Sequence, residues 1–461
     1  MAGRGGFSSK FGFIAAAAGS AVGLGNIWQF PFKVSQGGGA AFVLMYVLFI
    51  FILCFPIMIA EIAIGRKTQK NPVGAFVDMG FKKWSIIGIL GIICGVLILS
   101  FYNVVAGWAF GYFLEISQGN FGIGKEFSAF TADTTTVGIY STMFMLATAF
   151  IVSQGVSSGI EKASKILMPT LLFLLIGLVI YSLTLDGAMR GVEYYLIPDF
   201  SKITFKVAYT ALGQGFFSLS LGMGALITYG SYVGKNDNMV SSAVMIMIAD
   251  MTISLLSGLM MFALIASQGL DLNSKGGAGL IFTVLPGVFQ NFGSVLGIIV
   301  GAAFFLLLSF AALTSTVSLL EVPVAYLVDE YKINRKLAVW GMALLIFLVG
   351  IPSLYANGGS DFFTNFITYP GADASSSFMD FVGHVANDTF LPLGGLLISI
   401  FTAYVWKKHN FSAEIAQGNP TFVGSWQEKI IHFTISYVCP SILGTIFILT
   451  VLDRFFGVKL I

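Results

Sequence analysis

Nine residues near the start of the chain have the types and spacing of an ion-binding strip. They are Ala18-Gly19-Ser20-Ala21-Val22-Gly23-Leu24-Gly25-Asn26, followed by Ile27-Trp28-Gln29-Phe30-Pro31. Three glycines fall within seven residues of an apolar segment long enough to cross a membrane. Glycine costs about 1 kcal/mol against alanine in a helix interior, so the run predicts a local break. Broken backbone at membrane depth persists only where it lines a cavity or is buried in protein. The groups it frees are carbonyls, which hold a small hard cation, and amides, which hold a carboxylate. A second run of this kind is Gly213-Gln214-Gly215-Phe216-Phe217-Ser218-Leu219-Ser220-Leu221-Gly222-Met223-Gly224. On residue types alone, the candidate cation ligands are the carbonyls of 19–22, the Asn26 amide and the hydroxyls of Ser218, Thr314 and Ser315. The competing role for Thr314 and Ser315 is back-bonding to their own helix. Asp250 lies in the middle of an apolar run. An acid there costs several kcal/mol and marks a functional site, or else a hydrogen-bonded helix contact.

Composition fixes the setting of these residues. The 461 residues are 56% hydrophobic and 10% charged, with a mean hydropathy of +0.88. A soluble domain carries roughly 25% charged residues, so this is a polytopic membrane protein whose partner is the lipid bilayer. The net charge of +2 gives no reason to expect nucleic acid, because the basic residues sit in short loops. Arg4 and Lys10 precede the first apolar run, but no small-residue cleavage site follows, which predicts a retained helix. Cys54, Cys94 and Cys439 fall in apolar runs without partner spacing, and His384, His409 and His432 form no metal-ligand pattern. The segment Gly155-Val156-Ser157-Ser158-Gly159 faintly suggests a nucleophile loop, but no mid-span histidine is there to act as base, so no enzyme is expected. There is no GxxxxGK[ST] loop for a nucleotide, which leaves an ion gradient as the energy source.

Apolar runs near 11–34, 40–65, 84–114, 138–153, 164–184, 206–233, 239–267, 295–328, 337–354, 388–406 and 430–452 predict eleven spans. Of these, 138–153 is short. With the N-terminus cytoplasmic, about 16 of the 24 Lys and Arg residues lie inside and about 7 outside, as the positive-inside rule asks. The C-terminus is then extracellular or periplasmic, and the protein sits in the plasma (inner) membrane. In the outer loop 268–294, three glycines (Gly276, Gly277, Gly279) precede the apolar run Leu280 to Leu285. This part either dips inward as a lid or packs on the surface. Breaks in the first and sixth spans, with four ordinary spans between, predict two inverted five-span repeats. These run over about 10–184 and 206–408, with an extra helix at about 430–452, in one transmembrane domain covering 1–461. The fold class is all-α, and the pattern points to a transporter with a midplane site.

Several motifs resemble the neurotransmitter:sodium symporter family. They are Gly19 to Asn26 with Trp28 and Phe30-Pro31; Gly37-Gly38-Gly39 with Ala41-Phe42; Pro56, Glu61 and Gly65-Arg66; Gln214 to Gly224 with Thr228-Tyr229 and Ser231-Tyr232; and Ala311-Ala312-Leu313-Thr314-Ser315. They recur in the family's order over spans 1 to 10. Stopping after eleven spans is similar to bacterial members such as the leucine and hydrophobic amino acid transporters. The resemblance implies sodium-coupled symport by alternating access with two Na+ ions. A first ion site would use Ala21, Asn26, Ser218, Asp250 and the substrate carboxylate. A second would use Gly19, Val22, Ala311, Thr314 and Ser315. The substrate carboxylate would meet the amides of Leu24 and Gly25 and the hydroxyl of Tyr102.

The resemblance also implies a substrate pocket of Ser20, Ile98, Phe217, Ser220, Met223, Ser315 and Leu319. Its lack of charge suits a neutral, hydrophobic amino acid. Family members that carry monoamines have Asp where this chain has Gly23, which leaves room here for a substrate carboxylate. Chloride-dependent members surround the anion with residues matched by Tyr46, Gln214, Ser218 and Ser254, but have Asn where this chain has Asp250. A fixed carboxylate there predicts that chloride is not required and offers a site for a returning proton. The gates implied are Phe217 and Tyr102 outside, with Gln29 in place of the family's arginine and Asp388 as the nearest acid. Inside they are Arg4, Asp329 and Tyr232, with Phe7 where the family has Trp. A chloride-dependent or monoamine symporter, or a substrate sensor on the same scaffold, are the competing readings. Either a monomer or a homodimer is compatible with the sequence.

Overall fold

The computed structural model describes residues 6–272, 280–372 and 374–458, and these are helical with short connections. Among the described residues, nine continuous helices are long and apolar enough to span a bilayer. They are α3 (Ala40–Thr68), α4 (Lys82–Ser117), α5 (Thr134–Ser153), α6 (Val156–Leu183), α9 (Met239–Ser267), α10 (Ser294–Tyr331), α11 (Arg335–Tyr355), α12 (Phe378–Val405) and α13 (Trp426–Phe456). A tenth crossing is the bent pair α1 (Lys10–Ala21) and α2 (Gly25–Gln36), whose axes differ by 48°. The expected sixth span is two shorter helices, α7 (Phe205–Ser218) and α8 (Ala225–Gly230). Neither reaches a bilayer's thickness alone, which is why a length criterion counts nine or ten crossings rather than the eleven read from the sequence.

Both breaks have a local cause. Ser9 caps α1 by accepting from Gly12 N at 3.0 Å, and the helix stops at Val22, whose backbone is extended. Beyond Leu24, α2 opens with a π-helical turn over Gly25–Gln29, a wide turn found mostly at functional sites. In the second break Ser220, Gly222 and Gly224 have φ of 54°, 80° and 75°. Glycine tolerates this left-handed backbone, whereas a serine there is strained. Gly222 also lets α12 approach, since a Cβ on Gly222 would lie 2.5 Å from the Leu391 carbonyl oxygen. Four helices, α3 to α6, separate the two breaks.

The span expected at 138–153 is not short. It starts at Thr134, with Asp133 accepting from Thr135 N and Thr136 N, and runs for 20 residues. The polar Thr134-Thr135-Thr136 start hides its first turn from a hydropathy count. The apolar part of loop 268–294 is the helix Leu280–Gln290, and the three glycines before it lie outside the described residues. Phe282 from this helix is fully buried among the rings of Trp28, Trp108, Tyr112, Phe127 and Phe305. Large apolar side chains such as Phe150, Phe173, Ile180 and Val295 face outward, where lipid covers them.

A buried ionic contact ties the end of α3 to the segment around Glu414. Arg66 at the end of α3 donates from Nε to Glu414 Oε1 at 2.8 Å, from Nη1 to the Asp237 carbonyl at 2.8 Å and from Nη2 to the Glu414 carbonyl. Both side chains of the pair are fully buried. Removing one partner of such a pair leaves an uncompensated charge and costs about 3–5 kcal/mol. Arg66→Ala is therefore expected to lower the thermal unfolding temperature of the purified protein clearly, and an unchanged melting curve would count against this reading.

Candidate substrate and ion site

The two breaks face each other across a small cavity. It is lined by Ser20, Ala21, Gly23 and Gly25 from the first break and by Phe217, Ser218, Ser220 and Met223 from the second. Ile98 and Tyr102 of α4 and Ser315 and Leu319 of α10 complete the wall. Of the residues expected at the pocket, only Leu24 is absent from the lining, and its backbone is placed through Tyr102. Leu24 N donates to the Tyr102 hydroxyl at 2.7 Å, and that hydroxyl also meets Ser315. A Cβ on Gly23 would lie 2.3 Å from Ser315 Oγ and 2.6 Å from the Tyr102 hydroxyl, so only glycine fits between them.

One wall of the cavity leads to Asp250, which is fully buried on α9. Its Oδ1 accepts from Asn26 Nδ2 at 2.6 Å and from Ser218 Oγ at 2.7 Å, and its Oδ2 accepts from the Tyr46 hydroxyl at 3.2 Å. Ser254 Oγ lies 2.8 Å from Asn26 Nδ2 and 3.0 Å from the Tyr46 hydroxyl. The residues expected to divide between a sodium site and an anion site thus form one cluster, with the Asp250 carboxylate at its centre. Gln214 stands apart, its Nε2 donating to the Gly25 carbonyl at 2.8 Å. Asn26 Oδ1 accepts from Gly23 N at 2.9 Å, which ties the amide to the break.

On the opposite side, α10 brings its hydroxyls to the end of α1. Thr314 Oγ1 donates to Val22 O at 3.3 Å and to Ala311 O at 3.0 Å. Ser315 Oγ donates to Val22 O at 3.3 Å and to Ser20 O at 3.4 Å. Gly19 is held against Thr314, whose Cβ would lie 3.3 Å from a Cβ on that glycine. Both hydroxyls therefore do reach the first break, while Thr314 also back-bonds to Ala311 and, at 3.3 Å, to Phe310. Neutral oxygens gathered in this way suit a monovalent cation. Among the described residues no group of three or more His, Cys, Asp or Glu side chains could hold a transition metal.

A model of the sodium:neurotransmitter symporter family matches residues 4–124 and 132–454. The chain belongs to this family. It is therefore a multi-pass member of a family of sodium-coupled transporters, not of an enzyme family. It is 36% identical to the uncharacterized sodium-dependent transporter YhdH of Bacillus subtilis over 90% of each chain. It is 32% identical to an uncharacterized sodium-dependent transporter of Haemophilus influenzae over 96% of this chain and 97% of that one. The crystal structure of MhsT in complex with L-phenylalanine superposes with a TM-score of 0.88 and 41% identity, covering 97% of this chain and 99% of that one.

The implied gate residues fall at the two ends of this family member. Of those expected at the outer gate, Asp388 pairs with Arg454 of α13 at 3.7 Å, and Gln29 ends the π-helical turn of α2. Of those expected at the inner gate, Arg4 lies outside the described residues, while Asp329 Oδ2 accepts from Asn71 N at 3.0 Å. Phe7 packs edge-on against Tyr229 and Tyr232. Tyr232 donates to Glu321 Oε1 at 2.6 Å, and Glu321 Oε2 meets Arg335 Nη2 at 2.5 Å. Neither Glu321 nor Arg335 was singled out from the sequence, although Glu321 is as much a mid-span acid as Asp250. Glu61 of α3 was known only as part of a motif. Its Oε1 accepts from Gly222 N at 2.7 Å, so it holds the second break from behind.

Proposed function

We propose that the chain carries neutral, hydrophobic amino acids into the cell together with sodium, without a requirement for chloride. The observation that carries this reading is the uncharged cavity beside the Leu24 amide and the Tyr102 hydroxyl, with Gly23 between them and Ser315. A carboxylate placed there meets the N-terminal end of α2, where backbone dipoles favour an anion. The apolar side chains of Ile98, Phe217, Met223 and Leu319 then surround the rest of the solute. The L-phenylalanine in complex with MhsT is a solute of this kind.

Two sodium ions bind, one among Ala21, Asn26, Ser218, Asp250 and the substrate carboxylate, the other among Gly19, Val22, Ala311, Thr314 and Ser315. Coupling follows because the substrate completes the first cage. The Asp250 carboxylate takes the hydrogen bonds of Tyr46 and Ser218 that an anion would otherwise receive, which supports chloride independence. The N-terminus is cytoplasmic, and the two five-span repeats, 10–184 and 206–408, rock about the breaks to open the cavity to one side and then the other. Residues 430–452 add the eleventh crossing.

The test is equilibrium binding of each of the 20 common amino acids to the purified protein, in sodium against potassium buffer. Uptake into proteoliposomes under an inward sodium gradient follows. Saturable, sodium-dependent binding and uphill uptake of a neutral amino acid are expected. Binding of an amine with no amino acid would overturn the assignment, and binding without uptake would make the protein a sensor.

A further inference from the structure

Two serines of the cavity wall, Ser20 and Ser220, belong to neither ion cage and to no part of the carboxylate position. Ser315 lines the cavity with them, Ser318 lies directly behind Ser20, and all four are buried. Every hydroxyl proton in this group is already given away. Ser20 Oγ donates to Ser318 Oγ at 2.8 Å, and Ser318 Oγ donates to Ser315 O at 2.8 Å. Ser220 Oγ donates to Ser20 O at 2.9 Å, and Ser315 Oγ to the carbonyls of Ser20 and Val22. A hydroxyl has one proton and two lone pairs, so such a group retains acceptors only. Ser220 is held in this arrangement with φ of 54°, a left-handed conformation that is strained for a non-glycine residue and persists where the surroundings fix it.

The same cavity wall includes the apolar side chains of Ile98, Phe217, Met223 and Leu319. A methionine sulfur against an aromatic ring is a favourable contact. The solute side chain that satisfies both features is an aromatic ring bearing one hydrogen-bond donor.

We propose that the pocket discriminates in favour of aromatic amino acids whose ring carries an N–H or O–H donor, the indole of tryptophan or the phenol of tyrosine, through the free lone pairs of Ser20 Oγ. This deepens the amino acid reading above and rests on it. The hydroxyl of Ser318 is the positioning group. By taking the Ser20 proton, it keeps Ser20 an acceptor and prevents it from serving a solute that offers only an acceptor.

The experiment is calorimetric titration of the purified protein in sodium chloride with pairs of near-isosteric ligands. The pairs are tyrosine with 4-fluorophenylalanine, and tryptophan with 3-benzothienylalanine, in which sulfur replaces the indole N–H. A neutral hydrogen bond is expected to favour the donor member by about tenfold in at least one pair. The pair that shows the preference identifies whether the indole or the phenol reaches Ser20. In Ser20→Ala the ratio of affinities between the two members of that pair falls to about one. In Ser318→Ala, which leaves the cavity wall intact and frees the Ser20 proton, the preference narrows by severalfold without loss of binding. Equal affinities within both pairs overturn the proposal, as does a uniform loss for all four ligands in Ser20→Ala, which would assign that hydroxyl to the amino group. Absence of sodium-dependent binding by any amino acid overturns the underlying function as well, so the two failures are distinct.

Discussion

Replacing Asp250 by asparagine is expected to make uptake depend on chloride. In the wild type the carboxylate accepts from Asn26, Ser218 and Tyr46 at 2.6, 2.7 and 3.2 Å, and Ser254 completes the ring around it. The amide of Asp250→Asn removes the fixed negative charge and sets an N–H₂ group against neighbours that themselves donate. A buried donor left without an acceptor costs about 1–3 kcal/mol, on the order of tenfold to a hundredfold in sodium affinity. An anion held by the Tyr46, Ser218 and Ser254 hydroxyls supplies both the missing charge and the missing acceptor. Uptake by the wild type should therefore be equal in sodium chloride and sodium gluconate. The variant should fall by about tenfold or more in gluconate and recover with added chloride. Loss of wild-type uptake in gluconate would refute the role given to Asp250, and so would a variant indifferent to the anion.

The second large effect is expected at Gly23. A methyl group there meets Ser315 Oγ at 2.3 Å and the Tyr102 hydroxyl at 2.6 Å, both well inside van der Waals contact. Tyr102 cannot withdraw without releasing Leu24 N, and Ser315 cannot withdraw without leaving the Val22 carbonyl. Overpacking of this kind costs about 1–3 kcal/mol, and both displaced groups belong to the binding site, so Gly23→Ala should lose on the order of a hundredfold in amino acid affinity. The protein should still purify as a folded species, because the collision is confined to the cavity. Gly23→Asp should not yield an amine carrier unless Tyr102 is shortened as well. Full amino acid affinity in Gly23→Ala would show that the carboxylate lies elsewhere.

The two breaks were legible because glycines in an apolar run violate helix propensity, and a violation of a local rule is visible in one dimension. The cavity lining was legible as well, through motifs that carry Tyr102, Phe217 and Ser315 in a fixed order. Partnerships between distant spans were not. The pairing of Glu321 with Tyr232 and Arg335, of Glu61 with Gly222, and of Asp388 with Arg454 depends on how helices far apart in sequence come to rest side by side. Asp250 was flagged by its cost in a membrane, and the same cost should have flagged Glu321 and Glu61. The contacts between the expected sodium ligands and the expected anion positions were not legible either: Asp250 accepts from Asn26, Ser218 and Tyr46, and Ser254 meets Asn26 and Tyr46. The start of α5 was missed because threonine lowers hydropathy, although Asp133 followed by Thr134-Thr135-Thr136 is an adequate capping signal.

The cavity draws its walls from residues 20 to 25, 98 to 102, 217 to 223 and 315 to 319, which are adjacent only when nearly the whole bundle is assembled. A bound solute thus acts as a staple across some three hundred residues of chain. Anything that binds the assembled form alone stabilises it by mass action, about 2.7 kcal/mol at a concentration one hundred times its dissociation constant. Sodium and amino acid together should therefore raise the unfolding temperature more than either alone, and the excess measures their coupling energy without any transport being observed. Heat resistance becomes a readout of symport, and the same shift can rank candidate substrates on protein that has never been placed in a membrane vesicle.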